Sequence, residues 1–140
     1  MKWFALLAAA AGHLCFGQQV CPWLNTPTAS GVLESSAVAT AGKGSCEFKA
    51  RTGQVQIRVN ATAHAERDFA TLSKRCKAGR ETLKAIGNEA FACLHGNRYW
   101  VTGRVRGQIF TVTIAMKGVK REVLREKARL VAQQVSGALF

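Results

Sequence analysis

The cysteines restrict the possible folds of this chain more than any other residue type. Cys15 lies in an apolar N-terminal stretch, and the other four are Cys21, Cys46, Cys76 and Cys93. An even number of cysteines in a small exported domain predicts two disulfides, and four cysteines can pair in three ways. We expect the sequential pairing, Cys21–Cys46 and Cys76–Cys93. A zinc site is the weaker alternative, because no two cysteines form a C-x-x-C pair.

The N-terminal stretch predicts export. It begins with one positive charge at Lys2, continues with an apolar run over 5–11, and has small residues at Cys15 and Gly17 before polar Gln18. This order is typical of a secretory signal peptide, here residues 1–17, that is removed by cleavage after Gly17. The run is shorter than the roughly 20 apolar residues that a membrane span needs. We therefore expect a periplasmic or extracellular product.

Two other interpretations of this stretch fit less well. A buried N-terminal helix would show an amphipathic pattern, which the stretch lacks. A lipoprotein signal would need a small residue directly before the acylated cysteine, but Leu14 precedes Cys15 and Val20 precedes Cys21.

The charge of the chain points to anionic partners. The sequence has 20 basic and 8 acidic side chains, and loss of Lys2 with the signal would leave a net charge of +11 on residues 18–140, which we predict to form a single domain. Such a field attracts an anionic polymer, a membrane surface with anionic headgroups, or an acidic protein. Nucleic acid also fits the charge, but export argues against a nucleic-acid role inside the cell. The alternative is that the charge only maintains solubility.

Hydrophobic periodicity predicts an α+β fold. Apolar residues recur at helical spacing in two long segments, and a Thr26-Pro27 pair predicts the start of a short helix with Thr26 as N-cap. We expect an antiparallel sheet of about five strands with the helices packed on one face. The predicted helices span 26–34, 64–77 and 120–139, and the predicted strands 36–41 (weak), 45–50, 54–63, 89–94, 98–105 and 108–116.

The last two strands predict a tight hairpin. Arg106-Gly107 would close it, so that Gly103 opposes Phe110. A glycine in that position leaves room for the aromatic ring.

Three stretches together suggest a family resemblance. They are Cys21-Pro22-Trp23-Leu24-Asn25-Thr26, Ile86-Gly87-Asn88-Glu89-Ala90-Phe91 and Ile109-Phe110-Thr111-Val112-Thr113-Ile114. In these motifs the chain resembles small exported bacterial two-disulfide domains of uncharacterised function, some of them lipoproteins and some extracellular sensor domains of receptor kinases. The resemblance implies a two-disulfide α+β fold and a binding or sensing role, and it brings no catalytic residues. This chain departs from it by having no lipobox, kinase or transmembrane part.

Recognisable catalytic motifs are missing from the sequence. It contains no nucleophile elbow, P-loop, dinucleotide fingerprint or zinc-protease helix. His64, Glu66 and Asp68 would spread around a helix and cannot converge on a metal ion. We therefore expect no enzyme activity, cofactor or metal; a small hydrolase without a recognisable motif is the remaining enzymatic alternative.

Basic residues concentrate at the end of the second predicted helix and in the loop that follows. Cations also suit a helix C-terminus, which accounts for some of them but not all. A disulfide at Cys76 would hold this segment close to Cys93. The anion-binding candidates are Lys74, Arg75, Lys77, Arg80 and Lys84.

The outer face of the predicted hairpin gives a second set of candidates. If Phe110 faces the core, then Trp100 and Arg104 face away from it, beside threonine hydroxyls, with Arg106 in the turn. An aromatic plate next to a guanidinium can hold a sugar or an anionic group; the alternative is ordinary cross-strand packing. The sequence thus predicts a non-enzymatic exported domain that binds an anionic partner, with a sensory or accessory protein-binding domain of the cell envelope as the alternative. Its oligomeric state stays open.

Overall fold

A computed structural model describes residues 20–140, which form three helices and seven strands; the predicted signal peptide and Cys15 lie outside the described residues. The helices are α1 (Thr26–Leu33), α2 (Ala65–Arg75) and α3 (Arg121–Leu139). The strands are β1 (Val38–Gly42), β2 (Ser45–Ala50), β3 (Gly53–Ala61), β4 (Glu81–Leu83), β5 (Glu89–His95), β6 (Arg98–Val105) and β7 (Gln108–Met116).

All seven strands join one antiparallel sheet in the order β1-β2-β3-β7-β6-β5-β4. Strands β1 to β3 form one half of the sheet and strands β4 to β7 the other. The two halves are joined by the nine-residue pairing of β3 with β7. The α+β class is confirmed, but the count of about five strands is wrong. We expected the stretch before Ile86 to be a loop. Its residues 81–83 instead form β4 at the edge of the sheet. Three residues are too few to show the apolar alternation from which a strand is predicted.

The first face of the sheet is packed by α1 and α3. It is the face that carries Phe110, Val112 and Ile114 of β7, which are fully buried. Val101 of β6 is paired with Val112 on this face, and the apolar stripe of α3 packs against the same core. Apolar and polar residues alternate along most of β3 and β7. Because successive residues of a strand point to opposite faces, this alternation places their apolar side chains on the first face.

The second face carries α2, so the expectation that all helices pack on one face is wrong. Phe69 of α2 meets Phe91 of β5 edge to face, with ring centroids 5.4 Å apart, and Ile109 of β7 completes this smaller core. Phe91 and Cys93 share the face opposite to Ala92 because they alternate with it along β5. The bridge from Cys76 to Cys93 therefore draws the end of α2 to this side of the sheet.

The sequential disulfide pairing is confirmed. Cys21 is bonded to Cys46 and Cys76 to Cys93, with Cα–Cα distances of 5.8 and 5.9 Å. Two disulfides indicate an oxidising compartment. Among the helices of residues 20–140, none combines the length and the apolar composition that crossing a membrane requires.

The helix ends and ion pairs add two details, the first of which corrects a prediction. The N-cap of α1 is Asn25 and not Thr26, because the Asn25 side chain accepts a hydrogen bond from the Thr28 amide at 2.8 Å. On α3, Glu126 pairs with Arg129, whereas Arg125 reaches across to Glu81 of β4.

Candidate anion-binding site

The second face of the sheet is only partly covered. Helix α2 lies over one end of β5, β6 and β7, and the remainder of the face, which we call the open face, is exposed or half-exposed. Because side chains alternate along a strand, most polar residues of β2, β3, β6 and β7 point to this face. The open face is formed by Glu47, Lys49, Gln54, Gln56, Arg58, Arg98, Trp100, Thr111 and Thr113.

The predicted basic cluster is brought together only in part. Lys74, Arg75 and Lys77 are exposed at the C-terminal end of α2. The Arg80 guanidinium turns back and donates to the carbonyl and the hydroxyl of Ser73, both at 3.3 Å. Arg80 therefore satisfies a carbonyl at the end of the helix, as basic residues commonly do there.

Lys84 is separated from the other four candidates. It follows the last residue of β4, whereas Arg80 precedes the first, so their backbones are about 13 Å apart at the rise of an extended strand. The edge strand also carries Glu81, which pairs with Arg125. Within residues 20–140, Lys74, Arg75 and Lys77 are thus the candidates at this end of α2 whose side chains form neither an ion pair nor the contact to Ser73 that Arg80 makes.

A cleft between α2 and β3 combines one of these candidates with a residue that the sequence did not single out. Arg75 of α2 and Arg58 of β3 line the same cleft of about 340 Å³. Thr111 of β7, the partner of Arg58 in the sheet, contributes a hydroxyl, and Leu72 and Ile109 give the cleft apolar walls. We call this feature the Arg58–Arg75 cleft.

Neither arginine of the cleft has a carboxylate partner within residues 20–140. Asp68 also lines the cleft, but its carboxylate accepts a hydrogen bond from the Thr62 hydroxyl at 2.6 Å and lies 3.6 Å from the Arg67 guanidinium. The positive charge of Arg58 and Arg75 is therefore directed at solvent.

Basic side chains without an acidic partner are also in excess over the described chain as a whole. Seven of its eight acidic side chains are in ion pairs, and Glu122 is the exception. Thirteen of the nineteen lysines and arginines of residues 20–140 have no acidic partner there. Because the acidic side chains are already engaged, these cations are open to an external anion.

The second set of candidates has divided roles. Arg104 is an internal structural residue: its side chain is 14% exposed, pairs with Glu89 at 2.8 Å and lies 3.7 Å from Glu66 of α2. Arg106 is exposed in the β6–β7 turn, where its amide donates to the Asn88 side chain at 2.6 Å.

Trp100 keeps an exposed surface. It is 37% exposed, and its indole ring is tilted toward the His95 ring at a centroid distance of 5.9 Å. It is paired with Cys93 in β5 and with Thr113 in β7, next to the Cys76–Cys93 bridge. Trp100 therefore belongs to the open face together with the cleft, whereas Arg104 does not.

The residues weighed as metal ligands have separate partners. Glu66 faces Arg104 and Asp68 accepts from Thr62, while His64 is exposed at the start of α2. Within residues 20–140, no three side chains of the ligating types come together.

Arg58 was missed as a site residue for a physical reason. The alternation of β3 assigns it to the polar face, which the sequence shows. Its partner across the sheet depends on the pairing of β3 with β7, about 50 residues away in the chain, and no local pattern encodes that pairing.

We compared the chain with families of proteins, with curated proteins and with solved structures. Neither a scan against models of protein families nor a search of curated proteins found a match. A solved structure described as a GTP binding regulator from Thermotoga maritima is similar at a TM-score of 0.49 and 15% identity, over 84% of this chain and 92% of that one.

Proposed function

We propose that this chain is a non-enzymatic exported domain, periplasmic or extracellular, that binds an anionic partner at the Arg58–Arg75 cleft. The observation that supports this proposal is the convergence of two arginines from different elements on one cleft without a paired carboxylate. Guanidinium groups are suited to this task because their planar fork matches carboxylate, sulfate and phosphate groups.

The surroundings of the cleft favour a polymer with repeated anionic groups. Lys74 and Lys77 continue the positive surface beyond Arg75 along the end of α2. The Cys76–Cys93 bridge fixes this end of the helix to the sheet, so that binding orders few additional groups. Acidic glycans present charged groups in this repeated manner, and their attraction to exposed cations weakens as salt screens it.

Heparin chromatography of the mature chain tests the proposal. The variant Arg58→Gln/Arg75→Gln should elute at clearly lower salt than the unmodified protein. The matched control is Lys120→Gln/Arg121→Gln, which removes two exposed, unpaired charges at the start of α3. Equal shifts of the two variants would show that retention follows net charge alone and would overturn the assignment to the cleft.

A wider charge reversal separates the cluster from the rest of the surface. Changing Lys74, Arg75, Lys77 and Arg80 to glutamate should abolish retention on heparin, and unchanged retention would contradict the whole proposal. Vesicles with and without an anionic lipid, used with the same variants, distinguish a membrane surface from a polymer as the partner.

The alternative, a sensory or accessory protein-binding domain, is supported by the exposed part of Trp100 on the open face. It predicts that Trp100→Ala weakens capture of a partner protein, and that the Arg58→Gln/Arg75→Gln change does not.

A further inference from the structure

The two edges of the sheet are protected very differently. At one edge, β4 is three residues long and flanked by Arg80 and Lys84, and short charged strands resist pairing with other chains. At the other edge, β1 (Val38–Gly42) has five residues with neither charge nor proline. Val38 is 71% exposed there. The β1 edge thus lacks the usual protection.

The hydrogen-bond pattern shows which backbone groups are free on β1. The two-residue turn Lys43-Gly44 makes Gly42 and Ser45 a hydrogen-bonded pair, and the pairing then alternates along the ladder. Thr40 consequently bonds to Glu47 of β2. Ala39 and Ala41, the residues between these pairs, direct their N–H and C=O groups away from the sheet.

A groove runs beside this edge on the first face. Its volume is about 660 Å³, and its apolar lining includes Leu24, Pro27 and the methyl groups of Ala37, Ala39 and Ala41. Bonding of Cys21 to Cys46 holds one wall of the groove against β2. A strand added to β1 would place every second side chain in this groove, because alternate residues of a strand share a face.

From these three observations we infer that the β1 edge binds an extended segment of a partner protein as an eighth strand of the sheet. The backbone of Ala39 and Ala41 supplies the main-chain hydrogen bonds, and the groove selects large apolar side chains at alternate positions, which is the division of roles in strand addition. The groove opens on the first face of the sheet and the Arg58–Arg75 cleft on the second, and the inference does not rest on the proposed function.

A second copy of this chain is the wrong occupant. It would offer only the methyl groups of its own Ala39 and Ala41 to a groove of about 660 Å³. Both copies would also carry the unbalanced positive charge, with exposed Lys43 at the end of each β1. The partner segment therefore has leucine, valine or phenylalanine at one set of alternate positions and acidic residues at the other, where they face solvent and Lys43.

A synthetic peptide of alternating leucine and glutamate, blocked at both ends, tests the inference on the mature chain. Amide hydrogen exchange at Ala39 and Ala41 should slow by about tenfold or more at saturating peptide, because both amides acquire a partner. The same peptide with N-methyl groups on alternate residues, which removes hydrogen bonds without changing the protein, should have no such effect. Equal protection by both peptides would overturn the inference.

A protein variant completes the test. Ala41→Pro removes one outward N–H and leaves the bonds between β1 and β2 in place, since proline is tolerated on the free side of an edge strand. It should abolish peptide binding, whereas Thr40→Val should not. The Arg58→Gln/Arg75→Gln variant should still bind the peptide. This result would show that the peptide binds the β1 edge and that its glutamates are not held by the two arginines of the cleft. Protection of Ala39 and Ala41 that rises with protein concentration in the absence of peptide would identify a second copy as the occupant and would also overturn the inference.

Discussion

Gly103 and Phe110 are direct partners across the β6–β7 hairpin, and the aromatic ring lies over the place that a side chain at position 103 would occupy. A Cβ added to Gly103 would overlap the ring atoms of Phe110, which is itself fully buried. The register predicted from the Arg106-Gly107 turn is thereby confirmed.

This contact predicts the effect of adding one methyl group. Gly103→Ala should lower the free energy of unfolding by about 1–3 kcal/mol, because the ring must leave its position in a packed core. Urea unfolding measures the change. The matched control is Gly31→Ala in α1, where a Cβ meets open space and should stabilise the helix by about 0.5–1 kcal/mol. A Gly103→Ala protein as stable as the original would contradict this interpretation of the hairpin.

Tyr99 gives the chain a specific alkaline response. Burial raises the pKa of this tyrosine above its ordinary value of 10.0; nearby Glu81 raises it further, and Arg125 opposes the change. Because the folded pKa is raised, its contribution to stability is complete below pH 10 and is lost as the pH rises through the folded pKa.

The test uses the fact that the chain has a single tyrosine. Ultraviolet titration of the folded protein should show tyrosinate forming above pH 10, and unfolded protein should titrate at the ordinary value. Tyr99→Phe should remove the part of the alkaline loss of stability that depends on this phenol. A folded-state titration at or below pH 10 would refute the assignment.

The Cys76–Cys93 bridge should contribute both stability and local order. It closes a loop of 17 residues, for which the loss of unfolded-chain entropy corresponds to about 3 kcal/mol. Cys76→Ala/Cys93→Ala should lower the free energy of unfolding by that amount and accelerate amide exchange at the end of α2. The Cys21→Ala/Cys46→Ala variant is the control: it should lose similar stability and leave exchange at the end of α2 unchanged.

Arg104 should matter for stability and not for anion binding. Its side chain is 14% exposed and donates to Glu89 at 2.8 Å, so Arg104→Met removes a charge-assisted hydrogen bond from a mostly buried position and should cost about 1–3 kcal/mol. Arg106→Met removes the same charge from an exposed position and should change stability little. Arg104→Met should shift elution from heparin less than Arg106→Met does, because Arg106 is exposed and has no acidic partner within residues 20–140. An equal or larger shift for Arg104→Met would return Arg104 to the binding surface.

The sequence was sufficient for most local structure. The alternation of 45–50, 98–105 and 108–116 predicted three strands with the bounds that the structure has. Such patterns are local, because a strand or helix with one buried face must repeat apolar residues at its own period.

The sequence contains enough information to predict which face of the sheet α2 packs on, but our prediction of that face was wrong. Trp100 was placed on the face away from Phe110, and the β5–β6 turn makes Cys93 its neighbour across the strands. The predicted bridge from Cys76 to Cys93 therefore required α2 to lie on that same face. The α+β class alone favours helices on one face of the sheet, but the register of Cys93 and Trp100 places α2 on the other.

The amino-acid sequence alone carries the unbalanced positive charge, the alternation of the strands and the apolar stripes of α2 and α3, and it was enough to predict the two sequential disulfides. The pairing of β3 with β7, and with it the position of Arg58 across a cleft from Arg75, came from the tertiary structure. A local pattern fixes which face of the sheet a side chain takes, whereas its neighbours across the sheet depend on how segments far apart in the chain pack together.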